Sequence, residues 1–226
     1  MKISKAILKN SQSLLTTSLS LLALGQKYHA AHFAALCLEE STKCLMNIDS
    51  VKQIFKGKER NHFTKEKLCN FFHYLAGMLS VAYIMRFAID KGILGDKQAD
   101  YERFLDHLLK SSGMKGKAGL TECIHKYLKS IMQEKNGNKI IYTNNEIRKN
   151  SVYVDIEDGV LLTPNKRVKD KEIKQVIDDA KFAVSLMNMA LYNNFSWLEF
   201  LESFPRIYQH PKIEAQKLVK SMRKKK

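Results

Sequence analysis

Three groups of side chains in this sequence have the types and spacing that chemistry needs. The first lies between residues 29 and 47. Projected at about 100° per residue, His29, His32, Glu39, Glu40, Lys43 and Asn47 fall within one arc of roughly 100° on a helix. Leu36 sits within that arc and Phe33 on its margin, while the opposite side is almost all Ala, Cys and Leu. Such a stripe either faces solvent on a core helix or carries Glu39 or Glu40, with Lys43, into a site between helices. A metal held by His29, His32 and Glu40 would need further ligands from another helix, and none is spaced for it.

The second group is Arg148 to Asp155, written Arg-Lys-Asn-Ser-Val-Tyr-Val-Asp. An arginine at a helix end, followed five residues later by a tyrosine, suits phosphate or carboxylate binding, because guanidinium offers a planar fork of donors. The same residues also read as an Arg148–Asp155 ion pair pinning a turn, with Tyr153 as a core aromatic. The third group is a pair of Arg-x3-His arrangements, Arg103 with His107 and Arg206 with His210. Both are i,i+4 neighbours on a helix, where repulsion between cations makes them poor stabilisers.

The elements that must position these groups are helices. Ile3 to about Gln26 carries Leu8, Leu15, Leu19 and Leu22, with Leu14 and Leu21 alongside, as one apolar face. Gly25 breaks it, and His29 to about Ile54 forms a second, alanine-rich helix. The short link predicts an antiparallel hairpin. Lys56 to Asn61 is a charged loop. Thr64 to about Lys91 is a third long helix, with a buried stripe of Leu68, Phe71, Phe72, Leu75, Leu79, Tyr83 and Phe87. Tyr101 to Leu109 and Leu120 to Gln133 are shorter helices, joined through Ser111-Ser112-Gly113 and Gly116 in a flexible connection. Asn136-Gly137-Asn138 is a turn.

Asn144 to Asn150 is a short polar helix. Val152 to Leu162 then alternates in the β-branched manner of a strand, with Asp158-Gly159 as a turn and Thr163-Pro164-Asn165 closing it. Asp170 is the expected N-cap of a helix to about Asn193, with a stripe of Ile173, Val176, Ile177, Ala180, Val184 and Met187. Phe195 to Tyr208 is an aromatic-rich segment ended by Pro205, and Ile213 to Met222 is a final helix. The expected fold is all-α: one helical domain over 1–210 with a short extended segment near 152–164, then a C-terminal helix and basic tail over 211–226.

Composition agrees. Three prolines and ten glycines are few for 226 residues, which suits long helices better than sandwiches or barrels. The formal charge of +15 points to an anionic partner such as RNA, DNA or an acidic protein. Six of those charges sit in Lys217 to Lys226, without which the total falls to +9. Cys37, Cys44, Cys69 and Cys123 show no C-x-x-C pairing and fit a reducing cytoplasm rather than a zinc site. Lys2 and Lys5 before Leu14 to Leu24 look loosely like a secretory signal, but serines and threonines interrupt the run. No uninterrupted apolar stretch is long enough for a membrane span. The expectation is a cytoplasmic protein without a membrane partner.

The run Leu24-Gly25-Gln26-Lys27-Tyr28-His29-Ala30-Ala31, leading to Leu38-Glu39-Glu40-Ser41-Thr42-Lys43, resembles the opening helix pair of the AbiV family of abortive-infection proteins, a branch of the HEPN superfamily. Glu39, Glu40 and Lys43 match that family's Glu-Glu-x-x-Lys. Arg148, Tyr153-Val154-Asp155, Asp158-Gly159 and Pro164 are similar to its second signature. Together the motifs and the helical pattern cover most of Leu14 to Leu191. The resemblance implies a HEPN-like helical bundle, often a homodimer, serving bacterial defence once a phage product triggers it.

Many HEPN proteins are metal-independent ribonucleases that use Arg-x4-6-His, the arginine on the scissile phosphate and the histidine moving a proton. Here Tyr153, Val154 and Asp155 occupy the histidine's range, and no histidine is present. A phenol titrating near pH 10 is a poor base at neutral pH, though it serves as acid, hydrogen-bond donor or base stacker. The resemblance thus implies Arg148, Tyr153, Glu40 and Lys43 as catalytic, Arg148, Lys149 and Asn150 on RNA, and Glu39, Asp155 and His29 in support. No cofactor or metal is expected. The competing expectation is a non-enzymatic protein that blocks translation by docking a phage or host partner, through a helical or aromatic face near Phe195 to Tyr208.

Overall fold

The computed structural model describes residues 2–56, 62–114, 120–133, 144–157, 160–192, 197–208 and 210–223. In chain order these form α1 (Lys2–Ala23), α2 (Lys27–Met46), α3 (Asp49–Lys52), a 3₁₀ turn (Gln53–Phe55) and α4 (His62–Asp90). A second 3₁₀ turn (Gly95–Lys97) leads into α5 (Gln98–Ser111), α6 (Leu120–Gln133) and α7 (Asn144–Asn150). Then come β1 (Asp155–Glu157), β2 (Val160–Leu162), α8 (Pro164–Arg167), α9 (Asp170–Tyr192), α10 (Trp197–Ile207) and α11 (His210–Arg223). The fold is all-α with one small hairpin, as expected. The turns assigned to Asp158-Gly159 and Asn136-Gly137-Asn138, Phe195, most of the 56–61 loop and the last three lysines lie outside the described residues.

The chain divides into two compact units, Met1–His73 with Gly137–Asn193, and Tyr74–Asn136 with Asn194–Lys226. In the first, α2 is the central element, packed against α1, α7 and α9. Its Ala30, Ala31, Ala34 and Ala35 are wholly buried, and side chains this small let neighbouring helices come close. The antiparallel α1–α2 hairpin is held by four bonds in register. Ser4 Oγ donates to the Asn47 carbonyl (2.9 Å), Cys44 Sγ to Ser4 (3.4 Å), Cys37 Sγ to Ser11 (3.2 Å) and Ser18 Oγ to Ala30 (2.7 Å).

The seam of α1 is therefore Ser4, Leu8, Ser11 and Ser18, all buried, so that of the leucine face expected from periodicity only Leu8 is fully buried and Leu14, Leu15 and Leu21 are half-buried. Leu19 and Leu22 are exposed instead. Serines seven residues apart fill the seam because a hydroxyl can be buried when it finds a carbonyl. Helix α2 also ends earlier than the pattern suggested. Asn47 bonds back to the Lys43 carbonyl with its side-chain amide (2.8 Å), and Ile48 turns extended at φ −69°, ψ 130°.

Helix α9 buries the stripe read from the sequence: Ile173, Val176, Ile177, Ala180, Val184 and Met187. Each large aliphatic side chain there is worth about 1.5–3 kcal/mol relative to exposure. Asp170 is the first residue of the helix rather than its N-cap. The Lys169 N–H is taken by Glu172 Oε2 (2.7 Å) in the reach-back half of a capping box, and Asp170 instead pairs with Lys27 (2.6 Å). Pro164, expected to close the extended segment, opens the single turn of α8 from the first helical position, where its missing N–H costs nothing. β1 and β2 pair antiparallel with Ile156 opposite Leu161.

In the second unit, Ala82, Ile89 and Leu105 form a core joined by the half-buried Met85, Leu94, Leu108, Leu109 and Leu201. Tyr83 and Phe87, expected in the buried stripe of α4, are only half-buried and tilt against each other with centroids 6.2 Å apart. The aromatic ladder of α10 is core rather than docking surface. Trp197, Phe200, Phe204 and Tyr208 follow one another at 6.4, 6.5 and 5.5 Å, and Phe200 and Phe204 are wholly buried. Pro205, expected to end this segment, sits inside α10 two residues before its last. The start of the 111–119 connection is packed rather than loose. Ser112 and Met114 are buried, and a Cβ on Gly113 (φ +78°) would lie 3.1 Å from the Cys123 backbone nitrogen. Residues 115–119 lie outside the described set. By length and hydropathy, Lys65–Asp90 of α4 would pass for a membrane span, but half of its most apolar window is buried in the protein.

A candidate active site around Arg148

Helix α7 has only seven residues, so its ends decide its geometry. Three of its final carbonyls are answered. Ile147 accepts from the Ser151 amide (3.0 Å) and hydroxyl (2.5 Å), and Lys149 from the amides of Val152 (3.2 Å) and Tyr153 (3.1 Å). Between them, the Arg148 carbonyl accepts from His32 Nδ1 of α2 at 2.8 Å. At the other end, the buried Asn144 side-chain amide donates to the Ala35 carbonyl (3.0 Å). These bonds lay α7 along α2 and fix the backbone that carries Arg148.

The guanidinium of Arg148 is 30% exposed, so it is gripped and still reachable. One nitrogen donates to Asn145 Oδ1 (3.0 Å), and another lies 3.9 Å from Glu39 Oε2 of α2. Around them is a small cleft lined by Glu39, Lys65, Glu66, Cys69, Asn144, Asn145 and Arg148, with about 10 Å³ of internal space. Its four charged side chains are two of each sign, so the basic excess of the chain is not concentrated here. Burial, helped by Glu39, Glu66 and Asp179, pushes the Cys69 thiol far up, which leaves it a neutral wall and not a nucleophile.

The structure sorts the residues read from the sequence. Arg148 and Glu39 meet in the cleft. Glu40 and Lys43, both half-buried, bind each other as an i,i+3 pair and do not line the cleft. The stripe on α2 is thus neither wholly solvated nor wholly in a site. His29 is exposed in the first turn of α2, while His32 is spent on the Arg148 carbonyl. Among the described residues, no three His, Cys, Asp or Glu side chains group as metal ligands. Lys149 is exposed, and Asn150 accepts from Arg167 (3.4 Å). Asp155 pairs by its backbone with Leu162. Tyr153 is 63% exposed just past the helix end, so it is not the core aromatic of the turn-pinning alternative. Of the two Arg-x3-His pairs, Arg103 is an exposed partner of Asp100 at 2.6 Å; His210 has no described side chain.

Sequence reasoning missed Lys65, Glu66, Asn144 and Asn145. The available signal was spacing: Asn145 and Arg148 are i,i+3 on α7, and Glu66 and Cys69 are i,i+3 on α4. A family model described as AbiV, of the HEPN class, matches residues 1–184, including every residue named in the cleft. The chain belongs to the AbiV family. That membership puts it among abortive-infection defence proteins with a HEPN-like helical fold. No curated protein and no solved structure matches it significantly.

Proposed function

We propose that this AbiV-family chain is an anti-phage effector that a phage product activates and that stops translation by cleaving RNA without a metal. The observation that carries this reading is Arg148 itself. It is a partly buried guanidinium, still reachable from solvent, whose backbone is tied by His32 and whose side chain is aimed by Asn145 and Glu39. A fork of donors held in place before substrate arrives suits a phosphodiester, whose negative charge grows as the ribose 2′-oxygen attacks phosphorus. The 3.9 Å separation from Glu39 is long for a charge-assisted bond, so an incoming phosphate can displace the carboxylate.

In this reading Lys149 and Asn150 track the RNA backbone, the exposed ring of Tyr153 stacks on a base or reaches a ribose oxygen, and Glu40 and Lys43 set the local charge. The active form is a cytoplasmic homodimer that brings two clefts together, and the +15 charge favours RNA approach.

A second reading has one observation in its favour. Tyr153 and Val154 just ahead of the hairpin and Val160 and Leu161 on β2 stand 52–63% exposed, apolar side chains suited to docking a phage or host protein without chemistry. The test is made in bacteria expressing the wild type or Arg148→Ala and challenged with phages against which the wild type protects. New RNA ends bearing 2′,3′-cyclic phosphate are expected with the wild type and absent with Arg148→Ala. Intact RNA while translation still stops, with Arg148→Ala equally protective, overturns the ribonuclease reading in favour of docking. Excess chelator added to the activated, purified protein is expected to leave cleavage unchanged.

A further inference from the structure

A histidine absent after Arg148 is present elsewhere in the same unit. His73 of α4 faces Asp179 of α9, with Nδ1 3.2 Å from Oδ2 and 3.4 Å from Oδ1. The Asp179 side chain has no exposed surface, while that of His73 is 44% exposed. A buried carboxylate accepting from Nδ1 fixes one tautomer and leaves Nε2 as the ring nitrogen able to accept a proton, the arrangement that orients catalytic imidazoles in general. The Gln175 amide nitrogen lies 2.9 Å from Nδ1 and 3.1 Å from Nε2, supplying a proton donor to the ring until a substrate hydroxyl takes its place.

Neither residue lines the cleft itself; Cys69 connects the pair to it. Cys69 lines the cleft, and His73 stands one turn further along the same face of α4, about 6 Å along the axis. Asp179 is near enough to Cys69 to act on its thiol together with Glu39 and Glu66. Burial as complete as that of Asp179 is costly for a carboxyl group, and nothing in packing alone calls for an acid at this position.

We propose that His73, oriented by Asp179, is the proton-transfer residue of the Arg148 cleft. The proposal rests on the ribonuclease reading above. His73 Nε2 accepts the ribose 2′-hydroxyl proton as the 2′-oxygen bonds to phosphorus. The bond from phosphorus to the 5′-oxygen breaks, and the imidazolium returns its proton, through water, to that oxygen. The products are a 2′,3′-cyclic phosphate and a 5′-hydroxyl. His73 is the catalytic group in this step and Asp179 its positioning residue.

The test uses the full chain in phage-challenged cells, comparing the wild type, Arg148→Ala, His73→Gln and Asp179→Asn at matched expression. His73→Gln is expected to cut RNA ends by at least about a hundredfold while keeping the wild-type melting temperature within a few degrees. The purified protein supplies a readout independent of activity. By NMR, the His73 imidazole should titrate above the ordinary histidine range, because the Asp179 hydrogen bond favours its charged form, and should fall back in Asp179→Asn. Among the described residues, Asp178 acts on Asp179, Gln175 lies against the His73 ring, and Glu39 and Glu66 act on Cys69 one turn away.

If His73→Gln cleaves like the wild type while Arg148→Ala is silent, this assignment fails and the ribonuclease reading stands. If the wild type protects cells without producing new RNA ends, both fall together. An ordinary titration of His73 in the wild type also overturns the dyad.

Discussion

Arg148, His32, Asn145 and Glu39 divide one task between backbone and side chain. His32 and the turn after α7 fix where the arginine starts, and Asn145 and Glu39 fix where it ends. His73 and Asp179 show the opposite economy, one buried acid governing one exposed ring. This pair makes stability depend on pH. The Asp179 bond raises the folded pKa of His73, so its stabilisation is complete below the ordinary histidine value and is lost as pH rises through the raised one. Burial raises the Asp179 pKa as well, and this contribution also declines with rising pH, from the ordinary carboxylate range upward. The melting temperature is therefore expected to fall as pH rises across the His73 titration, and His73→Gln to flatten that fall. A fall of equal size in His73→Gln would detach it from this pair. Charged residues at helical spacing, such as Glu39 and Lys43, were legible in the sequence. His73 was not, because it sits in an apolar helix and its partner lies 106 residues away.

At the level of elements, the α1–α2 hairpin is specified by what is missing from its seam. Ser4, Ser11 and Ser18 keep the two helices near enough for hydroxyls and thiols to reach carbonyls across the gap. Ser11→Leu is expected to force them apart and to cost about 1–3 kcal/mol, read as a lower midpoint in chemical denaturation. A midpoint unchanged from the wild type would mean that the seam is loosely packed. Periodicity identified α1 as a helix and Leu8 as buried but missed the serines of the seam, because a hydropathy count treats serine as polar wherever its proton goes. The same count succeeded on α9, where every residue of the stripe it picked out is apolar and buried, though it passed over the buried Asp179. It missed Lys65, Glu66 and Asn144 because a polar residue lining a cleft has the same spacing as one facing solvent.

For the molecule as a whole, the helical class and the order of the long helices were readable from the chain, while of the residues around Arg148 only Glu39 on α2 was singled out for the site beforehand. The partition into two units was not readable, since α4 runs on as one helix where the units divide. Charge also needs the whole molecule to interpret. The cleft is balanced although the chain carries +15, so attraction of RNA and recognition of its phosphate are separate properties. The composite-site proposal predicts a dimer by mass measurement when the protein is activated. A monomer both free and activated would rule that arrangement out.

The bonds at the end of α7 also set a rule for how such chains can vary in length. Ser151, Val152 and Tyr153 reach back to Ile147 and Lys149 by fixed steps of three and four residues, with His32 closing the gap between them. One residue inserted or deleted between Arg148 and Tyr153 would shift every donor past its acceptor and swing the tyrosine to another side of the arginine. Diverging copies of this gene can therefore accumulate substitutions around the motif, but indels there should be purged even where the inserted residue is small.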